Sequence, residues 1–279
     1  MVFTKQRLEY LLQNVGDMAF KRRVKTIING MEIQSADKIL DCGCGEGFYL
    51  KVIRDFSDCK LYGFDGGNEV LSRAKVELSG CGVQIDKGDI YNLPYQDAEF
   101  DKIILSEVLE HLPDDFSALI EIKRVLKPGG VLFITVPNHN YPFMWDPINK
   151  TIETLFRTHI KSGFWAGIWN MHTRLYTSDE IISLIKNAGL EIVSVEAMTH
   201  YCIPFNHLFL NGMKRLLNKG MLPGISTAAD KFRFKENNGS RLNPVNMGYR
   251  FLNIIDRLNE KIPLEESSVS IGIKTVKPR

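Results

Sequence analysis

The feature that most constrains this fold is a glycine-rich turn placed directly after a short apolar strand. The predicted strand Lys38–Cys42 carries the carboxylate of Asp41 near its end, and Gly43, Gly45 and Gly47 follow at alternate positions. Glycines in such a turn let the backbone pass close to a ligand without obstruction by a Cβ atom. Apolar residues at helical spacing come next, so the turn opens a helix. This arrangement is typical of a site for a nucleotide-like cofactor at the carboxyl edge of a parallel sheet.

Strands and helices alternate through the first half of the chain. The predicted strands cover residues 38–42, 60–65, 83–87, 101–106 and 131–136, and the predicted helices cover residues 5–29, 48–56, 69–78 and 115–126. A Pro-Gly-Gly run at 128–130 is a stop signal after the last of these helices. The alternation predicts an α/β, Rossmann-like fold in which helices cover both faces of a parallel sheet.

The second half contains an aromatic segment and a long connection. Residues 138–176 hold all three tryptophans, and we expect them to form a cap over a substrate, although the same side chains could fill the core beneath. Asp146 followed by Pro147 predicts the start of a helix through residue 156, and a capping box at 177–180 opens another through residue 188. Strands six and seven are predicted at 191–197 and 268–276, with a helical insertion over residues 200–264 between them.

Polar residues follow three further strands. Asp65 ends strand two, where a carboxylate can accept hydrogen bonds from a ribose diol. Asp89 and Ile90 follow strand three, and Ser106 and Glu107 follow strand four. Each could also be an ordinary residue at a strand end or helix start. A dinucleotide-binding dehydrogenase would share the glycine-rich turn, but the motifs after strand four and before strand five have no counterpart there.

This set of motifs resembles the class I S-adenosylmethionine-dependent methyltransferases, in particular the type 11 branch related to ubiquinone and menaquinone methyltransferases. The resemblance covers about residues 35–200 and the final strand, and it includes the Lys127-Pro128-Gly129-Gly130 turn before strand five. It implies an enzyme that uses S-adenosyl-L-methionine, with a seven-stranded sheet whose last strand is antiparallel and inserted between strands five and six. One departure is Gly66-Gly67 after the ribose acid, where the family usually has a hydroxyl or apolar residue.

The resemblance also implies a set of cofactor-binding residues. The methionine end is assigned to the glycine-rich turn, the ribose to the end of strand two, the adenine to the turn after strand three and the methyl-donor cavity to the end of strand four. The corresponding residues are Asp41, Cys42, Gly43, Gly45, Gly47, Asp65, Gly66, Asp89, Ile90, Ser106 and Glu107.

The methyl acceptor is expected to be a small apolar or lipid-linked molecule, methylated on oxygen or, less favoured, on carbon. An oxygen acceptor needs a base, and His139, His111 and His172 are the candidates, although each could be an ordinary surface or capping histidine. The spacing of ligand-type residues shows no metal-binding trio, so we expect no metal. A cofactor-binding protein without turnover and a protein methyltransferase are the alternatives.

The insertion at 200–264 is strongly basic. It contains ten Lys and Arg residues against four Asp and Glu, a net charge of +6, whereas the whole chain carries +2. Two apolar stripes at helical spacing, over residues 205–221 and 251–262, predict amphipathic helices. Such helices suit peripheral contact with an anionic membrane, with a lid over the substrate cleft or a dimer interface as alternatives. We predict a catalytic domain of residues 1–199 plus 265–279, with 200–264 as its insertion.

The composition indicates which partners and which cellular compartment to expect. A net charge of +2 indicates no general affinity for nucleic acid. The five cysteines are not at metal-ligand spacing, and we interpret them as reduced thiols of a cytoplasmic protein, one that could work at the inner face of the membrane. We expect neither a secretory signal nor a membrane-spanning segment. The oligomeric state does not follow from the sequence.

Overall fold

The computed structural model describes residues 4–205, 244–260 and 262–279, and its centre is a seven-stranded sheet. The strand order is β3-β2-β1-β4-β5-β7-β6. The strands are β1 (Lys38–Cys42), β2 (Lys60–Asp65), β3 (Val83–Lys87), β4 (Phe100–Ser106), β5 (Leu126–Pro137), β6 (Glu191–Met198) and β7 (Ser270–Val276). The first five strands pair in parallel, and β7 runs antiparallel between β5 and β6. The predicted Rossmann-like sheet with an inserted antiparallel last strand is confirmed.

Helices flank the sheet. They are α1 (Lys5–Leu12), α2 (Met18–Met31), α3 (Phe48–Arg54), α4 (Asn68–Glu77), α5 (Asp115–Val125), α6 (Pro147–Phe156), α7 (Ser178–Asn187) and α8 (Pro244–Leu258). Two short 3₁₀ helices cover Leu109–His111 and Phe164–Trp169. The capping box predicted before α7 is present, with Thr177 and Glu180 bonded reciprocally. The predicted boundaries of the strands and of α3 to α7 agree with these to within a few residues, except that β5 begins at Leu126, before the Pro-Gly-Gly run.

The predicted single helix over residues 5–29 is wrong, because the structure divides it into α1 and α2. Asp17 has an extended conformation, and its side chain accepts a hydrogen bond from the N–H of Phe20 at 2.9 Å. This N-cap starts a new helix. The apolar stripe nevertheless continues across the break, since side chains of both helices enter the same core cluster.

The two faces of the sheet pack against different helices. Ile39 of β1 lies in the cluster shared with α1, α2 and α3, whereas Leu40 lies in the cluster shared with α5 and α7. Side chains alternate along a strand, so Asp41 belongs to the face covered by α2 and α3. The parallel strands β1, β2, β4 and β5 all end at one edge, and this edge is where polar side chains from different strands can meet.

Helix α8 docks through its polar face. Asp256 has 1% of its surface exposed and contacts Arg22 and Lys25 of α2, with Lys25 Nζ 2.7 Å from Oδ2. Asn259 accepts hydrogen bonds from the backbone N–H groups of His200 and Tyr201 at 2.8 Å. Polar contacts therefore attach this helix to the catalytic fold.

The apolar side of α8 faces outward. Met247, Phe251, Ile254 and Leu258 are each more than half exposed. The predicted second stripe is thus helical, but the helix ends at Leu258, before Ile262. The first predicted amphipathic helix, at 205–221, lies outside the described residues apart from Phe205. Within the described ranges, no helix has both the length and the apolar composition needed to cross a bilayer.

The buried ion pairs at Asp256 give a stability prediction. Asp256→Ala leaves Arg22 and Lys25 without their shared buried partner, and we expect it to lower the free energy of unfolding by about 3 kcal/mol in urea titrations. Glu69→Ala, which removes an exposed partner of Arg73, should cost less than about 0.5 kcal/mol. Equal effects of the two substitutions would show that α8 is not held by this contact.

Candidate functional site

The turn after β1 uses all three predicted glycines. Gly43, Gly45 and Gly47 have φ angles of +84°, +52° and +82°, a region that residues with a Cβ rarely adopt. The N–H of Gly43 donates to the carbonyl of Phe64 at 2.7 Å, which ties the turn to the end of β2. A Cβ on Gly43 would lie 2.3 Å from Cγ2 of Val108, so only glycine fits between the turn and this side chain.

The carboxylate of Asp65 joins two turns. Its Oδ2 accepts a hydrogen bond from the N–H of Gly45 at 2.9 Å, and its Oδ1 accepts one from the N–H of Gly67 at 2.8 Å. The donor at Gly67 is a backbone N–H, so the Gly66-Gly67 departure from the family pattern leaves this contact intact. The carbonyl of Asp65 also accepts from the N–H of Gly88 at 3.3 Å, which brings the turn after β3 to the same edge.

Asp41 is buried at the start of the glycine-rich turn. It is 1% exposed, and its Oδ2 has no hydrogen-bond partner among the described residues. Burial and, secondarily, the charge of Asp65 raise the pKa of Asp41 to about 8. Burial also raises the pKa of the neighbouring thiols Cys42 and Cys44, which keeps both protonated and unreactive. An unpaired carboxylate in this position is costly, and a cation beside it would offset that cost.

The residues after β3 divide between surface and core. Asp89 is exposed, and its Oδ1 accepts a hydrogen bond from the N–H of Tyr91 at 3.1 Å. Ile90 is half-buried and packs against the core cluster beneath α5 and α7. One bond leaves the carboxylate of Asp89 with free acceptor positions, because an ionised carboxylate offers about four.

A directed chain of hydroxyl groups ends at Glu107. The hydroxyl of Thr135 donates to Glu107 Oε1 at 3.1 Å, so the Ser106 hydroxyl, 2.8 Å from Thr135, must donate to it. The Tyr49 hydroxyl, 2.9 Å from Ser106, then donates in turn. Glu107 itself has a φ of +55°, a conformation that costs a residue with a side chain on the order of 1–2 kcal/mol. Strain of this kind is concentrated at functional sites.

Sequence analysis missed Arg23 and Tyr49. The guanidinium of Arg23 lies 3.4 Å from Glu107 Oε2, and its side chain is 14% exposed. Arg23 belongs to α2, and the apolar stripe of this helix predicted only that it packs on the sheet. The available signal was the run of basic residues at 21–25, which places charge inside a helix that is otherwise part of the core.

The three candidate histidines are not gathered in one place. His111 and His172 lie together, with ring centroids 4.9 Å apart. Burial and, to a smaller extent, His111 lower the pKa of His172 to about 4, so its ring is neutral at pH 7. His139 is exposed instead, and its N–H donates to the carbonyl of Tyr176, just before α7. Their catalytic roles stay predictions.

The aromatic segment contains both buried and exposed side chains, and its role as a substrate cap stays a prediction. Tyr141, Trp145 and Trp169 are buried and form their own core cluster. Phe143 and Trp165 are each more than half exposed. The segment is therefore partly a small core of its own and partly an apolar surface.

Comparisons with known proteins agree with this geometry. The profile of the family Methyltransf_11, described as a methyltransferase domain, matches residues 40–134. The chain is 34% identical over 121 residues to sterol 24-C-methyltransferase of Eremothecium gossypii, a match that covers 42% of this chain and 32% of the relative. It is 32% identical over 111 residues to demethylmenaquinone methyltransferase of Staphylococcus epidermidis, covering 39% and 46%. The chain thus spans less than half the length of these curated relatives.

A solved structure shows the same fold. Phosphoethanolamine N-methyltransferase 2 of Haemonchus contortus, determined in complex with S-adenosyl-L-methionine, superposes with a TM-score of 0.56 at 16% identity. The match covers 92% of this chain and 52% of that one. The family match, the relatives and the motifs at the sheet edge confirm the expected class and cofactor: residues 40–134 of this chain belong to an S-adenosylmethionine-dependent methyltransferase domain of type 11.

Proposed function

We propose that this protein transfers the methyl group of S-adenosylmethionine to an oxygen of a small apolar or lipid-linked acceptor. The observation that supports it best is the buried, unpaired carboxylate of Asp41 at the head of a glycine-rich turn. The turn is held in place by Asp65, and a Cβ built on Gly45 meets no atom within 4 Å, so the space beside the turn is open. These features fit a cofactor that carries positive charge.

Each part of the cofactor has a residue suited to hold it. Asp41 suits the ammonium group of the methionine end, because one oxygen of its carboxylate lacks a partner among the described residues. Asp65 already accepts two N–H donors and retains lone pairs for ribose hydroxyls. Asp89 and Ile90 offer a polar and an apolar contact at the turn after β3. These assignments rest on placement at one sheet edge.

The chemistry is divided between cofactor and protein. S-adenosylmethionine supplies a methyl group activated by its sulfonium. The residues of the chain align the acceptor so that its nucleophile lies about 3 Å from the methyl carbon, opposite the sulfur. A histidine ring accepts the proton of an acceptor hydroxyl, and His139 suits this role better than His172, whose lowered pKa makes it a weak base.

An apolar acceptor is supported by the cap and by the relatives. The exposed side chains of Phe143 and Trp165 offer an aromatic surface to a planar or apolar molecule. Two curated relatives are named for a sterol and for demethylmenaquinone, both apolar molecules. The sterol relative is named as a C-methyltransferase, and this favours carbon methylation as the second candidate.

Helix α8 supports a role at a membrane surface. Its polar face is used for docking on α2, so the exposed stripe Met247, Phe251, Ile254 and Leu258 is free to contact lipid. Arg250 and Arg257 lie on the same helix, within the segment 200–264 of net charge +6. Each basic group near an anionic bilayer contributes about 1 kcal/mol to binding. We propose that the protein acts in the cytoplasm, in peripheral contact with the inner membrane face and without nucleic-acid partners.

The raised pKa of Asp41 predicts proton release on cofactor binding. The free protein holds this proton up to about pH 8, and the α-ammonium group that S-adenosylmethionine shares with S-adenosylhomocysteine favours the ionised form, so binding near pH 7 should expel the proton. The affinity for S-adenosylhomocysteine should therefore rise from pH 6 to pH 8. Calorimetry in two buffers of different ionisation enthalpy measures the released proton.

Asp41→Asn is the matched variant, because it keeps the shape and removes the titration. It should bind S-adenosylhomocysteine more weakly and without proton release.

The stability of the ligand-free protein should change with pH in the opposite direction to the affinity. The folded state keeps the proton of Asp41 to a higher pH than the unfolded chain does, so the free energy of unfolding of the wild type should fall as pH rises from about 4 to about 8. A wild type whose affinity and stability are both independent of pH between about 4 and about 8 would contradict the assignment of Asp41 to the cofactor site.

Labelled methyl transfer tests the function itself. With S-adenosylmethionine labelled in its methyl group and a membrane-lipid extract, we expect label in the organic phase, and hydriodic acid should release it as methyl iodide if it is on oxygen. Carbon methylation would leave the label in the lipid. Asp65→Ala should cut incorporation at low cofactor concentration, since charge-assisted bonds worth about 1.5–3 kcal/mol are lost. Label in protein, or none at all, would overturn the proposal.

Vesicle flotation tests the membrane contact. The wild type should float with anionic phosphatidylglycerol vesicles, and the double variant Phe251→Glu, Ile254→Glu should stay in the lower fractions, because two charges would enter the lipid-facing stripe. Val76→Glu, at an exposed apolar residue of α4, is the matched control and should float. A wild type that stays unbound would show that α8 meets protein instead.

A further inference from the structure

Three ligand-type side chains converge beneath the aromatic segment. Glu110 and His111 belong to the 3₁₀ helix after β4, and His172 lies just after the 3₁₀ helix Phe164–Trp169. Their ligand atoms lie within 4.8 Å of one another. Nε2 of His111 is 3.7 Å from Glu110 Oε1, and Nε2 of His172 is 3.9 Å from the same oxygen.

Glu110 is the unusual member of this cluster. Its side chain is completely buried, and neither carboxylate oxygen has a hydrogen-bond partner anywhere in the described ranges. Buried polar groups in proteins are nearly always bonded, and a buried carboxylate without a partner carries a large desolvation cost. The nearby cation Arg23 contacts Glu107 instead. A bound cation would give both oxygens of Glu110 the partner that the described residues do not provide.

His111 is oriented to bind such a cation. Nδ1 of His111 lies 2.9 Å from the carbonyl oxygen of Met171, which can only accept, so Nδ1 carries the proton and Nε2 presents its lone pair toward Glu110. This is the arrangement by which metal-binding histidines are held in proteins. Met171 adopts a φ of +67°, a costly conformation that sets the direction of this carbonyl.

A hydrogen-bonded triad does not explain the cluster. The two nitrogen–oxygen distances exceed hydrogen-bond range, and the rings meet edge to face at 61°. Donors around a four-coordinate zinc ion lie about 3.4 Å apart, so each of the two histidine nitrogens needs to approach Glu110 by only a few tenths of an ångström. With all three ligand atoms within 4.8 Å of one another, the cluster is compact enough for one ion to reach every side chain.

We propose that Glu110, His111 and His172 bind one divalent transition-metal ion. Two imidazoles and one carboxylate suit zinc, iron, cobalt or manganese, whereas magnesium and calcium prefer a shell of oxygen ligands. Three protein ligands leave at least one position open to water or to an oxygen of a substrate. The side chain of His111 is 39% exposed, so an ion can reach the cluster from solvent on this side. Metal binding does not depend on the methyl acceptor proposed above.

The sequence hides this site. His111 and His172 are 61 positions apart, and Glu110 adjoins His111, so the spacing matches no metal-ligand pattern. The expectation of no metal rested on spacing alone. Folding brings the two segments together, and the backbone N–H of Thr173 donates a hydrogen bond to the carbonyl of Glu110 at 3.0 Å.

The test uses cobalt and zinc as probes of the full-length protein. After treatment with a chelator, equilibrium dialysis with elemental analysis should give one ion per chain, and Co²⁺ should produce the visible absorption of a nitrogen–oxygen site. His111→Ala, His172→Ala and Glu110→Gln should each weaken binding at least 10-fold, while His139→Ala should bind as the wild type. Magnesium should not compete at equal concentration.

A second measurement guards against variants that misfold. Zn²⁺ should raise the melting temperature of the wild type and leave that of Glu110→Gln unchanged. The ligand-free Glu110→Gln protein should be at least as stable as the ligand-free wild type, because it removes an unpaired buried acid. Less than one bound ion, or equal affinity in all variants, would overturn the proposal.

Discussion

The site depends on one carboxylate that accepts two backbone hydrogen bonds. Asp65 holds the N–H groups of Gly45 and Gly67, and in this way it fixes the turn after β1 against the turn after β2. Three residues of the first turn have positive φ, so that turn needs an external anchor to keep its shape. Asp65 provides the anchor while remaining able to accept from a ligand. Its charge also adds to the cost of ionising Asp41 nearby.

Two buried acids give the domain its electrostatic character. Asp41 lies at the glycine-rich turn and Glu110 beneath the aromatic segment, and both have carboxylate oxygens without partners among the described residues. Glu107, by contrast, accepts a hydrogen bond from Thr135 and pairs with Arg23. A ligand that brings positive charge to either acid binds the folded state alone and so stabilises it by mass action. The free protein therefore carries a stability cost that its ligands relieve.

Local sequence signals accounted for most of the sheet, because its central strands are short apolar runs bounded by turn residues. They also located the glycine-rich turn, since positive φ at alternate positions requires glycine. They could not separate α1 from α2, because one apolar stripe crosses the break at Asp17. Nor could they show that α8 docks through Asp256, or that His172 reaches Glu110, since both contacts join segments remote in sequence. Tertiary packing decides such contacts.

The position of β7 has a consequence for biosynthesis. This strand pairs with β5 on one side and β6 on the other, so β5 and β6 never touch through backbone hydrogen bonds. While the ribosome is still translating the segment before Ser270, the nascent chain exposes two unpaired strand edges with apolar side chains. Such edges are prone to aggregate. Assembly of this half of the sheet must therefore wait for residues 270–276, and chaperones that shield strand edges would act during that interval.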